Sequence, residues 1–203
     1  MKPMKPWMKN FLRLTAVAVV AAVLLVLCAL LPDLTVIGMR IDAVLAAIFL
    51  NTLLFVAVGM TGKLYGGCVL AFLFPVMRFL IMDMTSPLLM IPEVMAGCFM
   101  LLVSVLISRK AKKPSIKLIG NLGAGIVNFL VRWVMIGFIY GHNKLIKVVM
   151  MFENVYDEAG YVAGKQALMA ESVNFQWLAA IAAALLAFVL LPPVLKFIKK
   201  KKY

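Results

Sequence analysis

Acidic and catalytic side chains are scarce in this chain of 203 residues. The eight Asp and Glu residues are scattered, and His142 is the one histidine. The three cysteines, Cys28, Cys68 and Cys98, lie far apart in apolar runs. The sequence therefore contains no Ser/His/Asp set, no HExxH or CxxC motif, no disulfide framework and no Walker A sequence for ATP hydrolysis. We predict no enzyme activity, no metal site and no cofactor.

Charged residues of both signs together are also few. They make up 14 % of the chain against 65 % hydrophobic residues, whereas soluble globular chains have roughly 25 % and 45–50 %. A membrane helix needs about 20 mostly apolar residues. Six segments qualify, at about residues 11–31, 43–60, 63–81, 87–108, 116–140 and 174–195. The sequence predicts an all-α membrane protein, a single integral domain over residues 1–203 with a bundle of six transmembrane helices.

The basic residues predict the orientation of this bundle. They precede the first span, separate the second from the third and the fourth from the fifth, and follow the last. The acidic residues fall on the other side or within the membrane near it. By the positive-inside rule both termini are then cytoplasmic. The net charge of +13 is thus a signal of topology and an attraction to anionic membrane lipid, and nucleic acid is excluded as a partner.

The outer loop over residues 141–173 contains a helical pattern. In NKLIKVVMMFENVY the apolar side chains recur at helical spacing, which predicts an amphipathic helix at the outer surface or over the bundle, between the fifth and sixth spans. The following DEAGYVAGKQ, with two glycines, predicts a flexible turn.

Polar residues form a stripe in the otherwise apolar fifth span. Asn121, Gly125, Asn128 and Arg132 stand at i, i+4, i+7 and i+11, so they share one face of a helix. Charged groups within a bilayer cost at least ~2.5–3.5 kcal/mol and normally face a cavity or a partner. This face therefore needs either a ligand or a neighbouring helix.

Further polar side chains lie in other spans, most of them in the outer half. They are Arg78 in the third span, Glu93 in the fourth, Asn51 in the second and Arg40 at its start. One interpretation is an outward-facing pocket in which Arg132, Asn128 and these residues bind a small acidic solute. The alternative is structural: Glu93 pairs with one arginine and Asn128 bonds a neighbouring helix. Two arginines and one glutamate would still leave one cation over.

Small residues mark two possible docking faces. Ala18 and Ala22 form a small-xxx-small pair in the first span, which lets another helix approach closely. Ala179, Ala183 and Ala187 form a similar row in the last span. Together they suggest a protein that docks on a partner within the membrane.

Three strings carry a resemblance to a known family. NTLLFVAVGMTGKLYGGCVLAFLFPVMRFLI has a glycine pair, small residues and a late proline; SPLLMIPEVMAGC has a proline-spaced helix start; NLGAGIVNFLVRW is the polar stripe. With six short spans and a small-xxx-small first helix, the chain resembles a substrate-binding S component of an energy-coupling factor (ECF) transporter, over about residues 10–140.

This resemblance implies a function and partners. The chain would capture a vitamin-like solute outside a bacterial cell membrane, with residues 141–173 as a lid. It would dock through Ala18 and Ala22 on a transmembrane coupling protein served by two ATPase subunits, and tip to release the solute inside. The start MKPMKPW lacks the Met-His of the cobalt and nickel members, so a metal substrate is not expected.

Three other functions stay open on the sequence. The chain could be a structural or assembly protein of the cell envelope, with the polar stripe joining helices. It could be a membrane enzyme acting on lipid-linked substrates, although convergent acid, base or metal-binding residues are few. It could also be a carrier that works alone. The identity of the solute, and which of Arg78 and Arg132 meets it, are not determined.

Overall fold

The architecture comes from a computed structural model that describes residues 5–32, 35–36, 39–82, 87–110 and 113–200. The elements, in chain order, are α1 (Pro6–Ala29), the two-residue strands β1 (Thr35–Val36) and β2 (Met39–Arg40), α2 (Ile41–Thr61), α3 (Leu64–Ile81), a 3₁₀ turn (Pro87–Leu89), α4 (Met90–Lys110), α5 (Pro114–Gly141), α6 (Asn143–Glu153) and α7 (Glu158–Lys200). The strands pair antiparallel, Thr35 opposite Arg40, in the connection from α1 to α2.

Six of these helices are long and apolar enough to cross a membrane, namely α1 to α5 and the part of α7 from Trp177 to Ile198. They confirm the predicted all-α architecture and indicate a multi-pass membrane protein. The first helix begins at Pro6, earlier than predicted, because proline suits the first helical position, where its missing N–H has no partner to lose.

The outer segment over residues 141–173 is largely helical, and α6 lies where the amphipathic helix was predicted. It contains α6 and the first part of α7, which begins at Glu158 and runs through the glycines expected to form a turn. Glycine costs a helix only about 1 kcal/mol relative to alanine, and the strong helix formers around residues 163–171 outweigh it. The turn prediction for this stretch was wrong.

The helix α6 rests on the ends of its neighbours. Its residues Ile146 and Met150 pack with Tyr140 at the end of α5 and with Tyr161 at the start of α7. Burial raises the pKa of the Tyr161 phenol above its usual value, so the hydroxyl keeps its proton at neutral pH. Met151 and Phe152 on the outer side of α6 stay exposed, so the helix presents apolar surface on both sides.

Most lysines and arginines of the described residues gather at one end of the bundle. The side chain of Arg13 near the start of α1 donates a hydrogen bond to the Met60 carbonyl near the end of α2. A β-carbon on Gly66 near the start of α3 would meet Leu14 of α1. We call this end, where α1, α3 and α5 begin and α2, α4 and α7 finish, the basic end. The opposite end carries α6 and the polar cluster described below.

Candidate functional site

Three charged side chains from three helices meet near the end of the bundle opposite the basic end. Arg78 comes from the last turn of α3, Glu93 from the first turn of α4, and Arg132 from α5. The Arg78 Nη1 atom donates a hydrogen bond to Glu93 Oε1 at 2.5 Å. The same oxygen lies 3.7 Å from Arg132 Nη1, too far for a hydrogen bond. Glu93 is therefore committed to Arg78, and Arg132 is only loosely paired.

This cluster, Arg78, Glu93 and Arg132, is nearly closed to solvent. The three side chains are 15 %, 11 % and 10 % exposed. Two guanidinium groups and one carboxylate leave one formal positive charge in excess. Burying an uncompensated charge is costly, several kcal/mol in real proteins, so this excess requires a physical explanation.

Unsatisfied hydrogen-bond donors accompany the excess charge. The Nε atoms of Arg78 and Arg132 and the Nδ2 atom of Asn128 are buried and have no hydrogen-bond partner among the described residues. Asn128 is 4 % exposed and lies one helical turn before Arg132 on the same face of α5. Buried polar atoms are nearly always paired in native proteins. Three donors without an acceptor, beside a net positive charge, give this part of the bundle the capacity to donate hydrogen bonds to an anionic group.

The rest of the polar stripe contacts other helices. Gly125 lies against α7, where an added β-carbon would stand 3.1 Å from the carbonyl oxygen of Ala180. Asn121 accepts a hydrogen bond from the Ser104 hydroxyl of α4 at 2.9 Å. The stripe therefore divides: Asn121 and Gly125 pack against other helices, whereas Arg132 belongs to the charged cluster and Asn128 lies one turn before it. The opposite side of α5, including Ile126, is exposed.

The remaining predicted substrate-binding residues lie in or at the start of α2. Arg40 forms a bidentate ion pair with Asp42, at 2.8 and 3.2 Å, and its side chain is 59 % exposed. Asn51 is buried in the middle of α2, beside Thr52, whose hydroxyl bonds the carbonyls of Ile48 and Ala183. The structure joins Arg78, Glu93 and Arg132 by direct contacts.

The two rows of small residues have different surroundings. Ala18 and Ala22 are half-buried and flank the face that α1 turns to the core, made by Val17, Ala21, Leu25 and Cys28. In contrast, Ala179, Ala183 and Ala187 are almost fully buried within this chain, where α7 packs against α2 and α5. The prediction of a docking face on the last span was therefore wrong, because the row packs inside the bundle.

Sequence reasoning missed a cavity of about 500 Å³ at the basic end. Its wall includes Ser104 and Asn121, the hydrogen-bonded pair that joins α4 and α5, and Lys117 near the start of α5. The signal in the sequence was weak, since Ser104 is one hydroxyl in an apolar span. Among the described residues, no group of three His, Cys, Asp or Glu side chains could hold a metal ion.

Comparison with known proteins gives no assignment. No protein-family model matches the chain, and neither a curated protein nor a solved structure is found to be similar to it. The function must therefore be argued from the residues themselves.

Proposed function

We propose that this chain is the substrate-binding subunit of an uptake system of the ECF type, and that it takes up a small, vitamin-like, anionic solute. The proposal rests on one observation, the buried Arg78, Glu93 and Arg132 cluster with its excess positive charge and its unpaired donors. The resemblance of residues 10–140 to S components gives the class of transporter, and the six apolar helices fit it.

The proposal gives the two arginines different roles. Arg78 is held by Glu93 at 2.5 Å and completes the wall of the site. Arg132 contacts Glu93 only at 3.7 Å, and its Nε is buried and unpaired, as is the Nε of Arg78. Guanidinium groups bind carboxylates and phosphates with two parallel hydrogen bonds. In this proposal Arg132 binds the acidic group of the solute, and the Asn128 amide donates a further hydrogen bond.

Entry of the solute requires motion, because the donor nitrogens are shielded from solvent. The helix α6 lies at the same end of the bundle and is attached through the small cluster around Ile146. Displacement of α6 is the proposed route of entry, in agreement with the lid that the family resemblance implies.

Transport needs an energy source outside this chain, since its sequence contains no Walker A motif. In the proposed system a transmembrane coupling protein and two ATPase subunits supply it. The half-buried pair Ala18 and Ala22 is the proposed contact with the coupling protein, because small residues let helices approach closely.

The proposal is tested by mass spectrometry of small molecules released when the detergent-purified protein is denatured. We expect a stoichiometric anionic metabolite in the wild-type protein and its loss in Arg132→Ala. The matched control is Lys144→Ala, which removes one positive charge from an exposed residue of α6 at the same end of the bundle.

The opposite result has a defined meaning. If the wild-type protein is empty and Arg132→Ala lowers thermal stability, the cluster joins helices and binds no solute. The chain would then be a structural or assembly protein of the envelope, an interpretation that the Arg78–Glu93 ion pair already favours in part.

A further inference from the structure

The cavity at the basic end is a site distinct from the charged cluster. It lies among α2, α4, α5 and α7, with Val58, Val105, Ala187 and Leu191 in a wall that is mostly apolar. Its volume, about 500 Å³, is within the range of roughly 300–1,000 Å³ that is typical of small-molecule sites.

The cavity lies on the basic-end side of a close contact between α5 and α7. The two helices touch where Gly125 meets the backbone of Ala180. Towards the basic end, α7 contains Pro192 and Pro193, and prolines inside a helix remove backbone hydrogen bonds and bend it. Pro192 is part of the cavity wall.

The length of the cavity along α7 is similar to the hydrocarbon thickness of one membrane leaflet. Its lining on α7 runs from Ala187 to Leu195, about 12 Å at ~1.5 Å per residue. Half of the hydrocarbon core of a bilayer is about 15 Å. An acyl chain that entered from the basic end would therefore contact apolar side chains over most of the hydrocarbon thickness of that leaflet.

The polar groups of the cavity suit an amphiphile better than a hydrophilic solute. The Ser104 hydroxyl and the Asn121 carbonyl oxygen already satisfy each other at 2.9 Å. The charged lining residue is Lys117, exposed in the first turns of α5 at the basic end. The arrangement is therefore an apolar interior with a cation towards the membrane surface.

We propose that the cavity binds one acyl chain of an anionic phospholipid, with the phosphate of its headgroup against Lys117. Anionic lipids are enriched in the cytoplasmic leaflet, which is the leaflet that the basic end faces by the positive-inside rule. The apolar walls replace the contacts that the acyl chain makes in the bilayer, and Lys117 selects the headgroup. This site does not depend on the solute-binding function proposed for the other end.

The test is native mass spectrometry of the full chain after reconstitution into vesicles of phosphatidylcholine and phosphatidylglycerol in equal parts. We expect the wild-type protein to retain one lipid, preferentially phosphatidylglycerol. Lys117→Ala should lower this headgroup preference about fivefold, the effect of one lysine at a membrane surface. Lys113→Ala is the matched control, since Lys113 is exposed one turn away and does not line the cavity.

Two further variants fill the space itself. Ala187→Phe fills the buried end of the cavity and Leu195→Trp the end near the surface, and both should abolish lipid retention. If Ala187→Phe fails to fold, Leu195→Trp decides. Three results would overturn the proposal: a wild-type protein without retained lipid, a filled variant that keeps its lipid, or equal effects of Lys113→Ala and Lys117→Ala, which would indicate diffuse attraction to anionic membranes.

Discussion

At the scale of single residues, Arg78 and Arg132 share one carboxylate but should contribute differently to stability. Arg78→Met removes the partner at 2.5 Å and leaves Glu93 with a distant cation. Arg132 still neutralises Glu93, so the cost is that of one lost hydrogen bond between charged groups, about 1.5–3 kcal/mol. Arg132→Met leaves the short pair intact and removes the charge in excess. We expect it to change the free energy of unfolding by less than about 1 kcal/mol, or to raise it.

The measurement is the midpoint of thermal unfolding in detergent without added solute, compared between the two variants. Because methionine replaces arginine in both variants, they differ in which contact with Glu93 is lost. Equal decreases in the unfolding midpoint would mean that Arg132 is as firmly paired as Arg78. They would contradict the distinction between a wall residue and a ligand-binding residue.

The sequence alone suggested this cluster but did not rank its members. The helical stripe led to Asn128 and Arg132, and depth within the spans led to Arg78 and Glu93. Which arginine Glu93 holds depends on the difference between 2.5 and 3.7 Å, set by how α3, α4 and α5 pack. That packing is not encoded in the spacing along any one helix.

At the scale of helices, the contact of α5 with α7 depends on Gly125. A β-carbon there would stand 3.1 Å from the Ala180 carbonyl oxygen and 3.2 Å from the Ala180 β-carbon. A backbone atom cannot move aside as a flexible side chain can, so the helices would have to separate. We expect Gly125→Ala to lower the free energy of unfolding by about 1–3 kcal/mol, the usual cost of overpacking.

Gly123→Ala is the control in the same helix, since nothing lies within 4 Å of its added β-carbon. Alanine is the better helix former by roughly 0.5–1 kcal/mol, so this variant should be neutral or more stable. Thermal unfolding of both proteins under one set of conditions decides. A loss of stability in Gly123→Ala as large as in Gly125→Ala would show that the close approach to α7 is not the cause.

Helices were predictable where the signal lay within one segment. The six apolar runs gave six long helices, and the apolar spacing of residues 143–155 gave α6. Two features depended on contacts between segments far apart in the chain. The row Ala179, Ala183 and Ala187 packs inside the bundle, and the cavity opens beyond Gly125. Residue spacing indicates a small or apolar face but not what covers it.

At the scale of the whole molecule, both proposals depend on orientation. The lysines and arginines at the basic end predict that this end faces the cytoplasm, so Lys63 between α2 and α3 should lie inside and Lys144 on α6 outside. Both residues are exposed. In a chain with its three cysteines replaced by alanine, we expect a membrane-impermeant maleimide to label Lys144→Cys in intact cells. Lys63→Cys should be labelled only after permeabilisation, and the parent without cysteine not at all.

The opposite labelling pattern would contradict both proposals. The charged cluster would then face the cytoplasm, where it could not capture a solute for uptake, and the apolar cavity would face the outer leaflet. The expected pattern would leave Arg132 at the end from which a solute arrives and Lys117 at the surface where anionic lipid is enriched. The two sites would then meet different molecules because the chain fixes which end faces which compartment.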